Sequence, residues 1–520
     1  MSGPRRFRAP AGNGEVLADP PFAEIPRLVE ENRRRLDRAD VVVGGLPLRE
    51  LRALARREAL ALTSGRREPA DASRSVDAPL ILAGHQPELS HPGVWVKHFA
   101  LNGLARRLDG IPLNLVVDND TMKSAGLRVP HLSGGSPKAT TETVSFDRFE
   151  SEVPFGERRV LDPECFRSFP ARIAAVAADW GFEPLLPRVW PDAVGDTIGE
   201  RFATMRTRTE GHWGCHNPEL TVSALFWSEA YTRFVFHLLA DLPRFAATYN
   251  RAIEGYRRAN GVRSANHPAP LLDVGREQLE APFWMTWYGQ DRRSRFHVRR
   301  DGDQLRFTNG SHIAAAPDRF VREWPEFAKS GTHIYPRALT LTLFARLCLA
   351  DFFIHGIGGG KYDEVTDDII RGYFRIEPPA YQVLSATLHL PLPGFAASDE
   401  DVGRAERLVR DLHWNPQQHL GDDATGRAEI QSLLDEKAKL TAAEPPYAEH
   451  AARRAWFRAL QSVTERLRPF VGERVAPAEA ALNSARTEAA ANAVLRRRDY
   501  SWVLYPEATL RPFLQRFLDV

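Results

Sequence analysis

The stretch Leu80-Ile81-Leu82-Ala83-Gly84-His85-Gln86-Pro87-Glu88-Leu89-Ser90-His91-Pro92-Gly93 decides the fold. It opens with a short apolar run closed by glycine, the pattern of a strand buried on both faces. Val94 to Leu108 reads as a helix, and Leu113-Asn114-Leu115-Val116-Val117-Asp118 as a second buried strand. Strand, helix and strand at this spacing make a βαβ unit with parallel strands. The loop from Gly84 to His91 then crosses the carboxyl end of the sheet, where open α/β sheets bind ligands.

Three histidines in this stretch raise the question of a metal. With Pro92 at the first helical position, His98 lies about 10 Å along the helix from His91 at about 1.5 Å per residue, too far to share an ion with it. His85 and His91 alone do not make a zinc site, so no metal is expected here. A phosphate is the better fit, because unpaired N–H groups at a helix start attract anions. His91-Pro92-Gly93-Val94 also resembles the His-x-Gly-His signature of class I aminoacyl-tRNA synthetases, without its last histidine.

Two more stretches carry candidate chemistry. Asp118-Asn119-Asp120 closes the second strand, so its carboxylates are expected at the same crevice, positioning an amine or a metal-bound phosphate. Asp351-Phe352-Phe353-Ile354-His355-Gly356-Ile357-Gly358-Gly359-Gly360-Lys361-Tyr362-Asp363 reads as a strand followed by a glycine loop. Successive glycine N–H groups can form an anion nest, Lys361 adds a point charge, and Asp363 or Asp367 could hold a hydroxyl, an amine or Mg²⁺. Only seven of the 69 basic residues are lysines, yet Lys97, Lys123 and Lys361 each fall in or beside one of these stretches. His212-Trp213-Gly214-Cys215-His216 offers too few ligands for a zinc knuckle and reads as a packed loop.

Around these motifs the chain divides into an N-terminal helical layer (1–77), a first half-core (78–139), an inserted connective region (140–310), a second half-core with the glycine loop (311–397) and a C-terminal helical domain (398–520). The last carries 3-4 apolar spacing at Ala452, Ala455, Trp456, Ala459, Leu460, Val463 and Leu467, as in an antiparallel, coiled-coil-like hairpin that could form a homodimer. The expected fold is therefore α/β, a Rossmann-like parallel sheet core with an insertion and a C-terminal helical domain.

Composition narrows the function class. Apolar residues make up 43% and charged residues 26% of 520, which is ordinary for a globular protein. A net charge of +2 provides no field for nucleic acid or membrane. The three cysteines exclude a disulfide framework, and no window reaches the roughly 20 apolar residues that span a bilayer. A cytoplasmic protein acting on small-molecule substrates is expected.

Taken in order, the motifs resemble the family of cysteine-adding enzymes of bacillithiol biosynthesis. Ala83-Gly84-His85-Gln86 and His91-Pro92-Gly93 resemble that family's Thr-Gly-Gln-Gln strand end and Gly-Pro helix start. Asp118-Asn119-Asp120 resembles its acidic cluster. Tyr335-Pro336-Arg337 through Gly359, and Pro379 through Ser385-Ala386-Thr387-Leu388, follow its later order. His85 replaces the usual glutamine, His91 is an added imidazole, and Gly360-Lys361-Tyr362-Asp363 departs from the family's Glu-x-x-Tyr. The resemblance implies a class I synthetase-like core and a carbon–nitrogen ligase joining an amino acid, possibly cysteine, to a small amine, with ATP or another nucleotide and Mg²⁺ as possible cofactors. In that reading His85, His91, Asp118, Asp120 and Lys361 are catalytic. Gly84, Gln86, Gly93, Lys97, Asn119, Gly356, Gly358, Gly359, Gly360, Tyr362, Asp363 and Ser385 bind nucleotide or substrate. A non-catalytic nucleotide-binding or dimeric scaffold and a nucleotidyltransferase are the alternatives.

Overall fold

The computed structural model describes residues 7–63, 77–132, 137–287, 293–421 and 427–520. The fold is mixed α/β, built on a six-stranded sheet. Its strands in chain order are β1 (Val16–Asp19), β2 (Leu80–His85), β3 (Ile111–Val116), β4 (Glu219–Thr221), β5 (Phe352–His355) and β6 (Tyr381–Ala386). They lie in the order β1-β6-β5-β2-β3-β4. All neighbours are parallel except β1, which runs antiparallel to β6 with Val16 opposite Ala386.

Alternation along the strands explains why they read as continuous apolar runs. Leu80 and Leu82 point into one core with Leu113, Leu115 and Val383. Ile81 and Ala83 point into the other with Ile354, Leu384 and Ala386. Each core is roofed by helices, so neither face of the sheet meets water. Helix α1 (Pro92–Arg107) packs Trp95, Val96, Phe99 and Leu104 into the second core, and helix α2 (Ile357–Ile369) packs Val365 and Ile369 into the first. Helix α1 is buried on nearly every side, which is why it has no polar stripe.

The structure departs from the expectations at the sheet's edges. The N-terminal layer is not wholly helical, because Val16–Asp19 forms an edge strand. Glu219–Thr221, inside the expected insertion, forms the opposite edge. A second, antiparallel sheet follows in the order His312–Ala314, Gln304–Phe307, Ser294–Asp301, Leu279–Thr286, His333–Pro336, with the hairpin turn at Gly302-Asp303.

In the C-terminal part, helices Ala428–Ala442 and His450–Leu467 run antiparallel. Trp456 Nε1 donates to Leu440 O at 2.7 Å, and Arg466 pairs with Glu436 at 3.0 Å. A small core of Ile430, Leu433, Val463 and Leu467 joins them. The chain after Leu495 leaves these helices and returns to the sheet, where Tyr505 OH donates to Leu388 O at 2.6 Å and Trp502 N to Ser90 O at 2.9 Å. No helix among the described residues is long and apolar enough to cross a membrane.

Candidate functional site

Along the parallel strands the connection order reverses between β2 and β5, the first and fourth parallel strands of the chain. Loops leaving two such neighbours turn to opposite faces and open a crevice at the strands' carboxyl ends. A cavity of about 1050 Å³ lies there. Both helices begin at its rim, α2 directly after its strand and α1 after the loop from Gln86 to His91.

The two helix starts are built differently. On the α1 side, Pro92 has no N–H, and the N–H groups of Val94 and Trp95 both reach His91 O, at 2.9 and 3.3 Å. The expected backbone anion site at His91 is therefore largely used up, and side chains take its place. Lys97 Nζ donates to Gly84 O at 2.8 Å while the side chain lines the cavity. His85 Nδ1 donates to Gln86 O at 3.1 Å, which leaves Nε2 of the neutral ring as an acceptor. His91 also lines the cavity, and its buried Nδ1 has no partner. Burial, then Lys97, pushes the His85 imidazole well below its usual range, and burial, then Arg498, takes His91 down to about 4. Burial lowers the Lys97 ammonium to about 8.

On the α2 side the residues expected to form a loop are instead the first turn of a helix. Gly356 is its N-cap, and Gly360 N is the first to find a helical carbonyl, Gly356 O at 2.9 Å. The N–H groups of Ile357, Gly358 and Gly359 thus have no carbonyl above them. Glycine is required for packing at Gly360, where a Cβ would run into Val383. At Gly358 a Cβ would meet nothing within 4 Å, so this position leaves open space beside the backbone. Lys361 and Tyr362 line the cavity just beyond, and no ion pair holds Lys361 among the described residues.

The floor and far wall complete the crevice. Asp120 accepts from Gln86 Nε2 at 2.9 Å, from Arg293 Nη1 at 3.1 Å and from Thr121 N at 2.9 Å. Asn119 Nδ2 donates to Pro336 O at 3.2 Å. Ser385 donates to Gly93 O at 3.2 Å and accepts from Arg498 Nη2 at 2.8 Å, tying β6 to the start of α1. Gly93 permits this closeness, since a Cβ there would strike Ala386 O. From the second sheet, Trp284 carries Arg293 and Arg337 at 4.7 and 4.3 Å from its ring. Arg337 Nη2 binds Glu280 at 2.6 Å, while its Nε and Nη1 are buried without partners.

The lining is strongly cationic. Arg8, Lys97, Lys123, Arg293, Arg337, Lys361 and Arg498 face one carboxylate, Asp120, among the described residues. Three of the chain's seven lysines meet here. Trp284, Tyr249, Leu339, Leu341 and Ile357 supply an apolar part.

Two expected catalytic or binding carboxylates are elsewhere. Asp118 does not line the cavity: it accepts from Ser223 N at 3.0 Å and from Ser223 Oγ, and burial raises its carboxyl. It ties the β3 end to the helix after β4. Asp363 is buried behind α2, 2.6 Å from His355 Nε2 and 2.9 Å from Arg346 Nη1. Burial opposes its ionisation, but His355 and Arg346 hold it below the usual range. Asp363 fixes α2 to its strand rather than touching a ligand, and Gly360 has a packing role. Of the other expected residues, Gly84, His85, Gln86, His91, Gly93, Lys97, Asn119, Asp120, Gly356, Gly358, Gly359, Lys361, Tyr362 and Ser385 come together around one cavity.

A cation site is poorly provided in the crevice, since its one carboxylate among the described residues is already paired with Arg293. Elsewhere, His98, Glu210 and Glu219 cluster beneath α1. Arg206 stands in the place of an ion there, 3.0 Å from Glu210 and 2.7 Å from Glu219.

Sequence reading missed Arg498, Arg337, Arg293 and Trp284. Arg498 lies in the run Arg496-Arg497-Arg498-Asp499, which looks like a solvated turn. Only Arg337 had a signal, its place beside Pro336 at a strand-to-helix junction. Among known proteins, no family model matches the chain and no curated protein matches it.

Proposed function

We propose that the crevice binds a nucleotide-type anion on a Rossmann-type core, and that the chain is a carbon–nitrogen ligase that joins an amino acid such as cysteine to a small-molecule amine. The observation that carries this reading is the imbalance of charge at the point where the strand order reverses, seven cationic side chains against one carboxylate among the described residues. Ionic donors lacking a partner in a buried site are costly, and an anionic ligand supplies the missing acceptor. The orphaned atoms of His91 and Arg337 are such donors or acceptors.

A bound nucleotide would supply the phosphoryl or adenylyl group that activates a carboxyl. The donor set fits its phosphates, with the α2 N–H groups and Lys361 on one side and Lys97 on the other, while the apolar part around Trp284 and Leu339 fits a base. It fits a protein-held Mg²⁺ less well, so any metal would arrive with the phosphates. His85 Nε2, unprotonated near neutral pH, accepts a proton from an attacking amine. Asp120, fixed by Gln86 and Arg293, orients that amine. Lys361 stabilises negative charge developing on the carboxyl.

One observation favours binding without turnover. The one lining carboxylate among the described residues is paired with Arg293, which leaves no free carboxylate base among them. The C-terminal part also leaves Tyr447 and Phe457 at 82% and 53% exposure, aromatic side chains that could serve self-association in a homodimeric scaffold.

The test is amino-acid-dependent cleavage of ATP by the full chain, followed by amide formation when amines are added. Cleavage and amide formation support the ligase, and both fall in Lys361→Ala and His85→Ala. ATP binding without cleavage under any amino acid supports the scaffold. The absence of thermal stabilisation by every nucleotide and anion tried contradicts the site itself.

A further inference from the structure

The α1 wall contains a group that its surroundings leave incomplete. Lys97 is 2% exposed and sits in the cavity wall. An ammonium has three N–H donors, and only one is accounted for, in the bond to Gly84 O. No carboxylate forms an ion pair with Lys97 among the described residues.

Its surroundings offer one other counter-charge, Glu88, which forms no ion pair with it. His85 on β2 and His91 at the start of α1 are neutral imidazoles, Arg498 from the returning chain is a cation, and Asp120 beyond β3 is engaged by Arg293. Glu88 in the loop acts on Lys97 only through space, and burial, then Asp120, raises its own carboxyl. On the facing strand, His355 is within ion-pair distance of Asp363. A buried cation with one hydrogen bond and no partner is destabilising unless something charged completes it.

We infer that Lys97 Nζ is the seat of a ligand's anionic group, a phosphoryl or carboxylate oxygen that docks on the α1 wall opposite the α2 backbone site. This rests on the reading of the crevice as an anion site and goes further by assigning a second, side-chain-built anchor in it. The crevice then holds two anionic centres, one on Lys97 and one on the N–H groups of Ile357 to Gly359. Its ligand presents negative charge to both walls.

Docking of an anion favours the charged ammonium, so binding is accompanied by proton uptake. The sign follows from the free state: with Lys97 at about 8, affinity is complete below that pH and declines above it. His85 and His91, already neutral, do not produce this change.

The experiment is calorimetric titration of the full chain with ATP and with succinate at pH 7.5 and 9, each in two buffers of different ionisation enthalpy. The expected result for the ligand that uses Lys97 is an affinity loss of about eightfold between the two pH values, with proton uptake at pH 9. Lys97→Arg, which stays charged, flattens that pH dependence, and Lys97→Met lowers affinity at pH 7.5 by tenfold or more. Success with ATP alone assigns a phosphoryl group to the seat, and success with succinate alone a carboxylate. The inference is overturned if every one of these ligands that binds does so with no proton uptake, and with the same pH profile in wild type and Lys97→Arg. If neither binds wild type at either pH, both this inference and the anion-site reading fail. Because the wild-type proton balance is itself diagnostic, the test survives even if a substitution unfolds the chain.

Discussion

The two walls of the crevice occupy equivalent places, each the start of a helix that follows a parallel strand, yet they are made from opposite materials. The α1 wall has spent its backbone donors on His91 O and presents side chains, Lys97, His85 and His91, embedded in protein. The α2 wall presents bare backbone, with glycines where side chains would intrude and one partly exposed lysine. Both are braced from behind by buried arginine–carboxylate pairs, Arg206 with Glu210 under α1 and Arg346 with Asp363 under α2. A site of this kind can fix one end of a ligand by charge and the other by backbone geometry.

The largest expected effect comes from removing a brace. Asp363→Ala leaves His355 and one side of Arg346 without a partner, although Asp367 remains 2.7 Å from Arg346 Nη2, and stability should fall by about 3–4 kcal/mol in denaturant unfolding. If the loss is under 1 kcal/mol, α2 is not held as described.

Glycine substitutions separate the walls next. Gly93→Ala forces a Cβ against Ala386 O and should cost about 1–3 kcal/mol. Gly358→Ala meets open space in a helix, so it should be neutral or stabilising by up to about 1 kcal/mol while weakening anion binding. Equal stability loss in both would erase the distinction between a packed wall and an open one.

A smaller effect distinguishes the walls by pH. The His91 imidazole is lowered to about 4 in the folded chain, so the unfolded chain binds the proton more readily between its ordinary value and about 4. Its contribution to stability is present above about 6.5 and is lost as pH falls toward 4. His91→Gln should make the unfolding midpoint less sensitive to pH across that window, with little change at pH 8. An unchanged pH profile would show that His91 is not buried neutral.

Much of this was legible in the sequence, for a physical reason. Strands buried on both faces read as unbroken apolar runs, so Leu80–Ala83 and Leu113–Val117 announced the parallel core and its crevice. Edge strands such as Val16–Asp19 are short and half-exposed, and they leave no such run. The fate of a carboxylate at a strand end was equally hidden. Asp118 turns away to Ser223 and Asp120 stays, a choice made by partners over a hundred residues distant. The arginines of the far wall were lost among the many others, whereas the rare lysines stood out and three of them converge on the cavity.

The central claim is that one anionic ligand bridges these two dissimilar walls. Hydrogen–deuterium exchange of the full chain with and without ATP tests it most directly, read on peptides covering residues 84–98 and 355–363. The account predicts slower exchange in both segments together. Protection of only one, or protection confined to other parts of the chain, would contradict it.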